Sequence, residues 1–128
     1  MRRARDLVGP LVACLALWLL LRGRLDAVEV RGRSMLPSLR PGDRLLVSRL
    51  HRPPRVGEIV LAPDPRDARR ELVKRVTAVD ADGVTVRGDN AAESTDARTF
   101  GVVPPTAVRW RAVFRYYPPG RFGPISRR

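Results

Sequence analysis

Beyond about residue 26, every stretch of alternating apolar and polar residues in this chain is cut short by proline or glycine. Short period-two runs bounded by turn residues build antiparallel strands, and they leave no room for helices long enough to bury a face. Strands are expected over residues 27–31, 44–48, 57–61, 71–79, 84–87 and 107–116. Pro41-Gly42-Asp43 supplies a turn and Asp82-Gly83 a hairpin. Residues 51–56 and 63–70 read as polar loops. In the last strand Val108, Trp110, Ala112 and Phe114 share a face. The spacing therefore predicts a mainly β fold, one compact coiled-sheet domain over residues 26–117. A hydrophobic helix lies within residues 1–25, and a Pro/Gly/Arg-rich tail over 118–128 is expected to be loose.

Residues 7–21 carry no charge, with Arg2, Arg3 and Arg5 before them and Arg22 and Arg24 after. The run falls short of the about 20 apolar residues that comfortably span a bilayer. Three fates compete. A single-pass membrane anchor with snorkelling arginines is preferred. A cleaved signal peptide lacks a small-x-small site, and a core helix of the domain is the third. The arginines on both sides leave the orientation open.

The chain has 128 residues, 25 Lys plus Arg against 13 Asp plus Glu, and a net charge of +12. Its basic residues are scattered and match no nucleic-acid motif, so nucleic acid is not expected as a partner; a lipid bilayer is. The one cysteine, Cys14, excludes an intrachain disulfide, and one Cys with one His excludes a zinc cluster. No metal or cofactor is expected.

Among the 25 basic residues only Lys74 is lysine. Arginine stays charged under ordinary conditions, whereas a buried lysine loses its proton and becomes a base. Period two puts Leu72, Lys74, Val76 and Ala78 on the more apolar face of their strand. Burial there would lower the amine's pKa from ~10.4 toward neutrality. The competing reading is an edge lysine that snorkels to solvent. Forty residues earlier, Gly32-Arg33-Ser34-Met35-Leu36-Pro37 sets a serine in a Gly/Pro-bounded turn. Gly32 permits close backbone approach, and such a turn can expose a hydroxyl and aim N–H groups at an oxyanion. An ordinary turn serine is the alternative. A serine with a deprotonatable lysine makes a nucleophile–base pair. The third polar segment, Gly88-Asp89-Asn90 to Arg98, has turn chemistry by itself.

Taken together, these segments resemble the type I signal peptidases, membrane-bound serine endopeptidases with a Ser/Lys dyad. The blocks are Gly32 to Leu39 with its Ser-Met-x-Pro signature, Pro41-Gly42-Asp43, Gly57-Glu58-Ile59-Val60 with Glu for the usual Asp, Val73-Lys74-Arg75-Val76, and Gly88-Asp89-Asn90 through Ser94, Asp96, Arg98 and Gly101. The resemblance implies the signal-peptidase fold, with Ser34 as nucleophile and Lys74 as general base. Ser94 would orient the lysine, Asp96 and Arg98 would form a structural ion pair, and backbone N–H near Gly32 and Ser34 would serve the oxyanion. Met35, Leu36, Val28 and Val30 would wall shallow pockets for small substrate residues. Ala97 and Gly32 depart from relatives that carry Ser there.

The resemblance also implies a monomer in the cell membrane with its catalytic domain outside the cytoplasm, acting on a precursor protein with an N-terminal leader. The bare hairpin over residues 79–88 and the Arg/Tyr/Pro/Gly tail resemble a short bacterial subgroup proposed to mature nickel-type superoxide dismutase. A general signal peptidase for secreted preproteins is the runner-up, and a non-catalytic membrane-anchored β module is the alternative from another class.

Overall fold

The computed structural model describes residues 2–64, 66–93 and 102–127. Helix α1 is Arg2–Leu21. The strands are β1 (Leu25–Glu29), β2 (Arg44–Arg49), β3 (Ile59–Asp64), β4 (Asp67–Asp80), β5 (Gly83–Arg87), β6 (Trp110–Tyr117) and β7 (Gly123–Pro124). They form one sheet in the order β1-β2-β6-β3-β4-β5, with β7 added to β6 and all pairings antiparallel. The expected fold class is the observed one, a mainly antiparallel β domain with one N-terminal helix.

Strand β3 lies at the heart of the sheet and explains its own sequence. Ile59 and Leu61 enter a core cluster with Met35, Leu39, Leu45 and Val47. Val60 and Ala62, on the opposite face, enter a second cluster with Val76, Val84, Val86 and Val108. A strand buried on both faces reads as a continuous apolar run, which is what Ile59-Val60-Leu61-Ala62 is. Each such side chain contributes about 1.5–3 kcal/mol when fully buried.

Two stretches differ from expectation. Residues 63–70 are not a loop: β3 continues to Asp64 and β4 starts at Asp67, with an irregularity between Pro63 and Asp64. Asp64 is buried and accepts a hydrogen bond from the Arg66 backbone N–H at 2.9 Å, which closes the turn. Backbone pairing and a carboxylate-capped turn need no apolar alternation, so the sequence pattern gave no sign of a strand. The tail is not loose either. After a turn at Pro119–Arg121, β7 pairs with Phe114 and Arg115, and Phe122 meets Phe114 edge-on at 4.7 Å.

Every described side chain from Asp6 to Arg24 is exposed, so α1 is not a core helix of the domain. Leu7, Leu11, Leu15, Trp18 and Leu20 are each more than half exposed. No helix of the described residues is long and apolar enough to cross a membrane. The helix ends in a turn where the Arg22 guanidinium lies over the Trp18 ring at 5.2 Å.

Candidate active site

The serine turn is a closed loop hung from the core. At its neck the Val30 N–H donates to Asp43 C=O at 2.8 Å and the Gly42 N–H to Val30 C=O at 2.9 Å. Within it, Met35 and Leu39 are buried in the first cluster and anchor the loop by two apolar side chains. Ser34, just before the first anchor, is half-buried. Gly32 adopts a left-handed φ of 75°, which a side chain there would strain.

Residues 88–90 then clamp this turn. The Asn90 N–H donates to Ser34 C=O at 2.8 Å and its side-chain amide to Arg33 C=O at 3.1 Å. Asp89 accepts the Ser38 hydroxyl and also takes both arms of the Arg75 guanidinium at 2.8 Å. Arg75 donates its remaining arm to Gly57 C=O at 2.8 Å. The turn that bears Ser34 is thus tied through Asp89 to the strand residue beside Lys74.

Lys74 is 2 % exposed and pairs directly with Val60 across β3. Paired residues of an antiparallel ladder share a face, so Lys74 lies on the side of the second cluster, with Val60 and Val76. Arg75, one residue on, faces the other way. The expected placement of the lone lysine on the apolar face is the observed one, and the snorkelling alternative is not.

Beside the turn runs an open groove of about 630 Å³, with Ser34 on its wall between Val28 of β1 and Leu72 and Val73 of β4. Among the described residues β1 pairs only with β2, and β4 pairs with β5 only from Arg75 onward. Two strand edges that carry no neighbouring strand among the described residues therefore line the groove. The sheet order makes β1 and β4 parallel, both running toward the Ser34 end. This is the geometry that receives an extended peptide by strand addition.

Of the residues expected as pocket walls, Val28 lines the groove. Met35 and Val30 do not: both are core residues, because the loop needs them as anchors. Leu36 is half-buried and is not among the groove's lining residues. Ser94, Asp96 and Arg98 lie outside the described residues. Among the described residues no group of three or more His, Cys, Asp or Glu side chains could hold a metal ion.

Sequence reasoning missed three charge clusters. One is Arg75 with Asp89, and a second is Asp43 with Arg115 and Arg121. The third centres on Glu58, which takes both arms of Arg52 at 2.9 and 2.8 Å, the Arg55 N–H at 2.6 Å and Arg111 at 3.2 Å. The Arg52 hydrogen bonds hold the Glu58 carboxyl at about 2, below its usual 4.5. Charges at buried positions of apolar strands need partners, and that was the available signal.

The model of the family described as "Signal peptidase, peptidase S26" matches residues 5–89. The chain is 32% identical to the mitochondrial ATP-independent inner membrane protease subunit 1a of Arabidopsis thaliana, over 79% of this chain and 76% of that protein. It is 28% identical to the probable signal peptidase I-1 of Synechocystis, over 95% of this chain and 87% of that protein. The human mitochondrial inner membrane protease subunit 1 is also 28% identical, over 75% of this chain and 72% of its own length.

Proposed function

Because this chain belongs to the signal peptidase family, peptidase S26, we propose that it removes N-terminal leaders from precursor proteins, with Ser34 as nucleophile and Lys74 as general base. Membership makes it a serine peptidase, a hydrolase acting without need of a redox cofactor. The assignment of the two residues rests chiefly on one observation. The Ser34 turn is bonded through Asn90 and Asp89 to the strand that carries the buried Lys74.

In the proposed reaction a precursor lies extended in the groove between β1 and β4. The neutral Lys74 amine takes the Ser34 hydroxyl proton as the oxygen attacks the scissile carbonyl. The resulting ammonium gives that proton to the leaving amine, and the C–N bond breaks to leave an acyl-enzyme. Lys74 then takes a proton from water, hydroxide attacks the ester, and the proton returns to Ser34. Backbone N–H groups of the turn stabilise the oxyanion, since Gly32 has no hydroxyl to offer. Ser94, by the family pattern, orients the amine, and Asp96 with Arg98 supports it.

The exposed apolar surface of α1 supports a seat in a lipid bilayer, with Trp18 and Arg22 at its boundary; a catalytic domain outside the cytoplasm rests on the family resemblance alone. The finer substrate reading is the leader of a nickel-type superoxide dismutase, supported by the bare β4–β5 hairpin, which turns directly from Asp80 to Gly83. The likeness to a probable signal peptidase I favours secreted preproteins instead. Detergent-solubilised protein and its Ser34→Ala variant should be offered both precursors and the product N-termini sequenced. Cutting of the dismutase leader alone supports the finer reading; cutting of the secretory precursor after small residues supports the general one. Cleavage that survives Ser34→Ala sinks the nucleophile assignment.

A further inference from the structure

We propose that the C-terminal segment 119–125 is a strap that positions the nucleophile turn, and that Arg121 is its positioning residue. This rests on the Ser34 reading above. The nucleophile turn has two ends, and residues 89 and 90 grip it at Ser34 and at the Ser38 hydroxyl. The other grip on Ser38 comes from the far end of the chain. Its carbonyl accepts from the Arg115 guanidinium at 3.1 Å and from Arg121 at 3.5 Å.

These two arginines are themselves fixed. Arg121 donates to both oxygens of the Asp43 carboxylate at 3.0 Å, and Arg115 adds a bond to it at 3.2 Å. Asp43 is 2 % exposed and also accepts the Arg40 N–H at 2.9 Å, so it braces the end of the same loop. Arg115 donates its Nε to Arg121 C=O at 2.6 Å, which locks the strap's turn onto β6. Beyond it, the Ile125 N–H donates to Val113 C=O at 3.0 Å, and its side chain packs on the cluster that holds Met35 and Leu39. A segment of proline, glycine and arginine has little apolar surface to order itself. Here, besides its pairing with β6, it is held by one buried carboxylate and one carbonyl, and both belong to the loop that presents Ser34.

Positioning matters because attack requires the hydroxyl and the oxyanion N–H groups in register, and a displacement of about 1 Å costs on the order of a hundredfold in rate. Asp43 without Arg121 keeps Arg115 and the Arg40 N–H, so the loop should loosen rather than unfold.

The experiment compares full-length wild type, Arg121→Gln and Arg121→Lys in detergent, with Ser34→Ala as the blank. It reads kcat and KM on a leader peptide, and amide exchange at Leu39 and Asn90 in the turn and at Val86 in β5. Arg121→Gln is expected to lower kcat about tenfold with KM within about twofold. It should speed exchange at Leu39 and leave Val86 unchanged, and Arg121→Lys should recover part of both. Unchanged kcat and Leu39 exchange in Arg121→Gln overturns the proposal. So does faster exchange at Leu39 and Val86 alike, which would make the strap a general stabiliser. If wild type and Ser34→Ala are equally inactive, the peptidase reading fails. The exchange at Leu39 then still decides whether the strap holds the turn.

Discussion

Lys74 and Arg75 are adjacent cations on one strand, both nearly buried, at 2 % and 7 % exposure, and they point to opposite sides of the sheet. On the Arg75 side the guanidinium is committed to fixed acceptors, the two Asp89 oxygens and Gly57 C=O. A planar, permanently charged fork suits that task, and it turns a buried charge into a brace. On the Lys74 side the ladder partner is Val60 and the neighbouring face is built of valines. The base role proposed for Lys74 needs an amine that can shed its proton, which a guanidinium cannot do. Burial alone marks neither residue as catalytic. The proposed function gives Arg75 the task of holding geometry and Lys74 that of moving a proton.

The sharpest way to break this contrast is to remove each cation with a side chain of similar reach. Lys74→Met should lower cleavage about a thousandfold or more, because a thioether cannot take the Ser34 proton. Cleavage kinetics beside urea unfolding would show it, and residual cutting near the wild-type rate would remove Lys74 from the mechanism. Arg75→Met should act first on stability. It takes from the half-buried Asp89 both guanidinium hydrogen bonds, at a cost of about 2–3 kcal/mol in unfolding free energy. Its activity loss should follow from a displaced Ser34 turn. If Arg75→Met unfolds at the wild-type urea concentration, the bracing task given to Arg75 is wrong.

Glu58, like Arg75 a charge held by fixed partners, extends the comparison to pH. Its carboxyl titrates at about 2 in the folded chain, against 4.5 ordinarily. The stabilisation is therefore fully present above pH 4.5 and is lost as the pH falls from 4.5 through about 2. The shift corresponds to on the order of 3 kcal/mol. Urea unfolding at pH 7 and at pH 3 should give a steep acid decline in wild type and a shallower one in Glu58→Gln. Parallel declines would mean that Glu58 is not the group responsible.

Much of this was legible in the sequence, and the boundary has a physical meaning. Strands β2 and β5 were readable because alternation and burial coincide there, at Leu45 and Val47 and at Val84 and Val86. The last strand begins later than expected, at Trp110, and Val108 joins the second cluster while Ala112 joins the first, because a turn at residues 105–107 takes up the expected strand start. The lone Lys74 and the Gly-bounded Ser34 stood out as candidates because residue type alone sets what chemistry each could carry. The partners were not. Asp89 looked like part of a turn, Asp43 like part of a Pro-Gly-Asp bend, and Arg121 like part of a loose tail. What orders them is pairing across 14 positions for Arg75 with Asp89 and 78 for Arg121 with Asp43, and one chain's pattern carries no trace of that. Met35 and Val30 were misplaced for a related reason: an apolar residue beside a nucleophile suits a pocket wall and a core anchor equally well.

The smallest test asks whether the Arg75 side is one network. Phe122 touches Phe114 edge-on, and its neighbour Arg121 reaches Ser38, whose hydroxyl shares Asp89 with Arg75. Phe122 is 64% exposed, so Phe122→Ala should cost only about 1 kcal/mol, the worth of an aromatic pair. The informative quantity is the double-mutant coupling. With Arg75→Met, a coupling above about 0.5 kcal/mol is expected, because both changes loosen the same grip on Ser38. With Lys74→Met a smaller coupling is expected, because Lys74 and Arg75 alternate along β4 and it is Arg75 that bonds Asp89. Equal coupling to both would mean that the two faces of β4 respond as one body, and that Lys74 is held by the network that fixes Arg75.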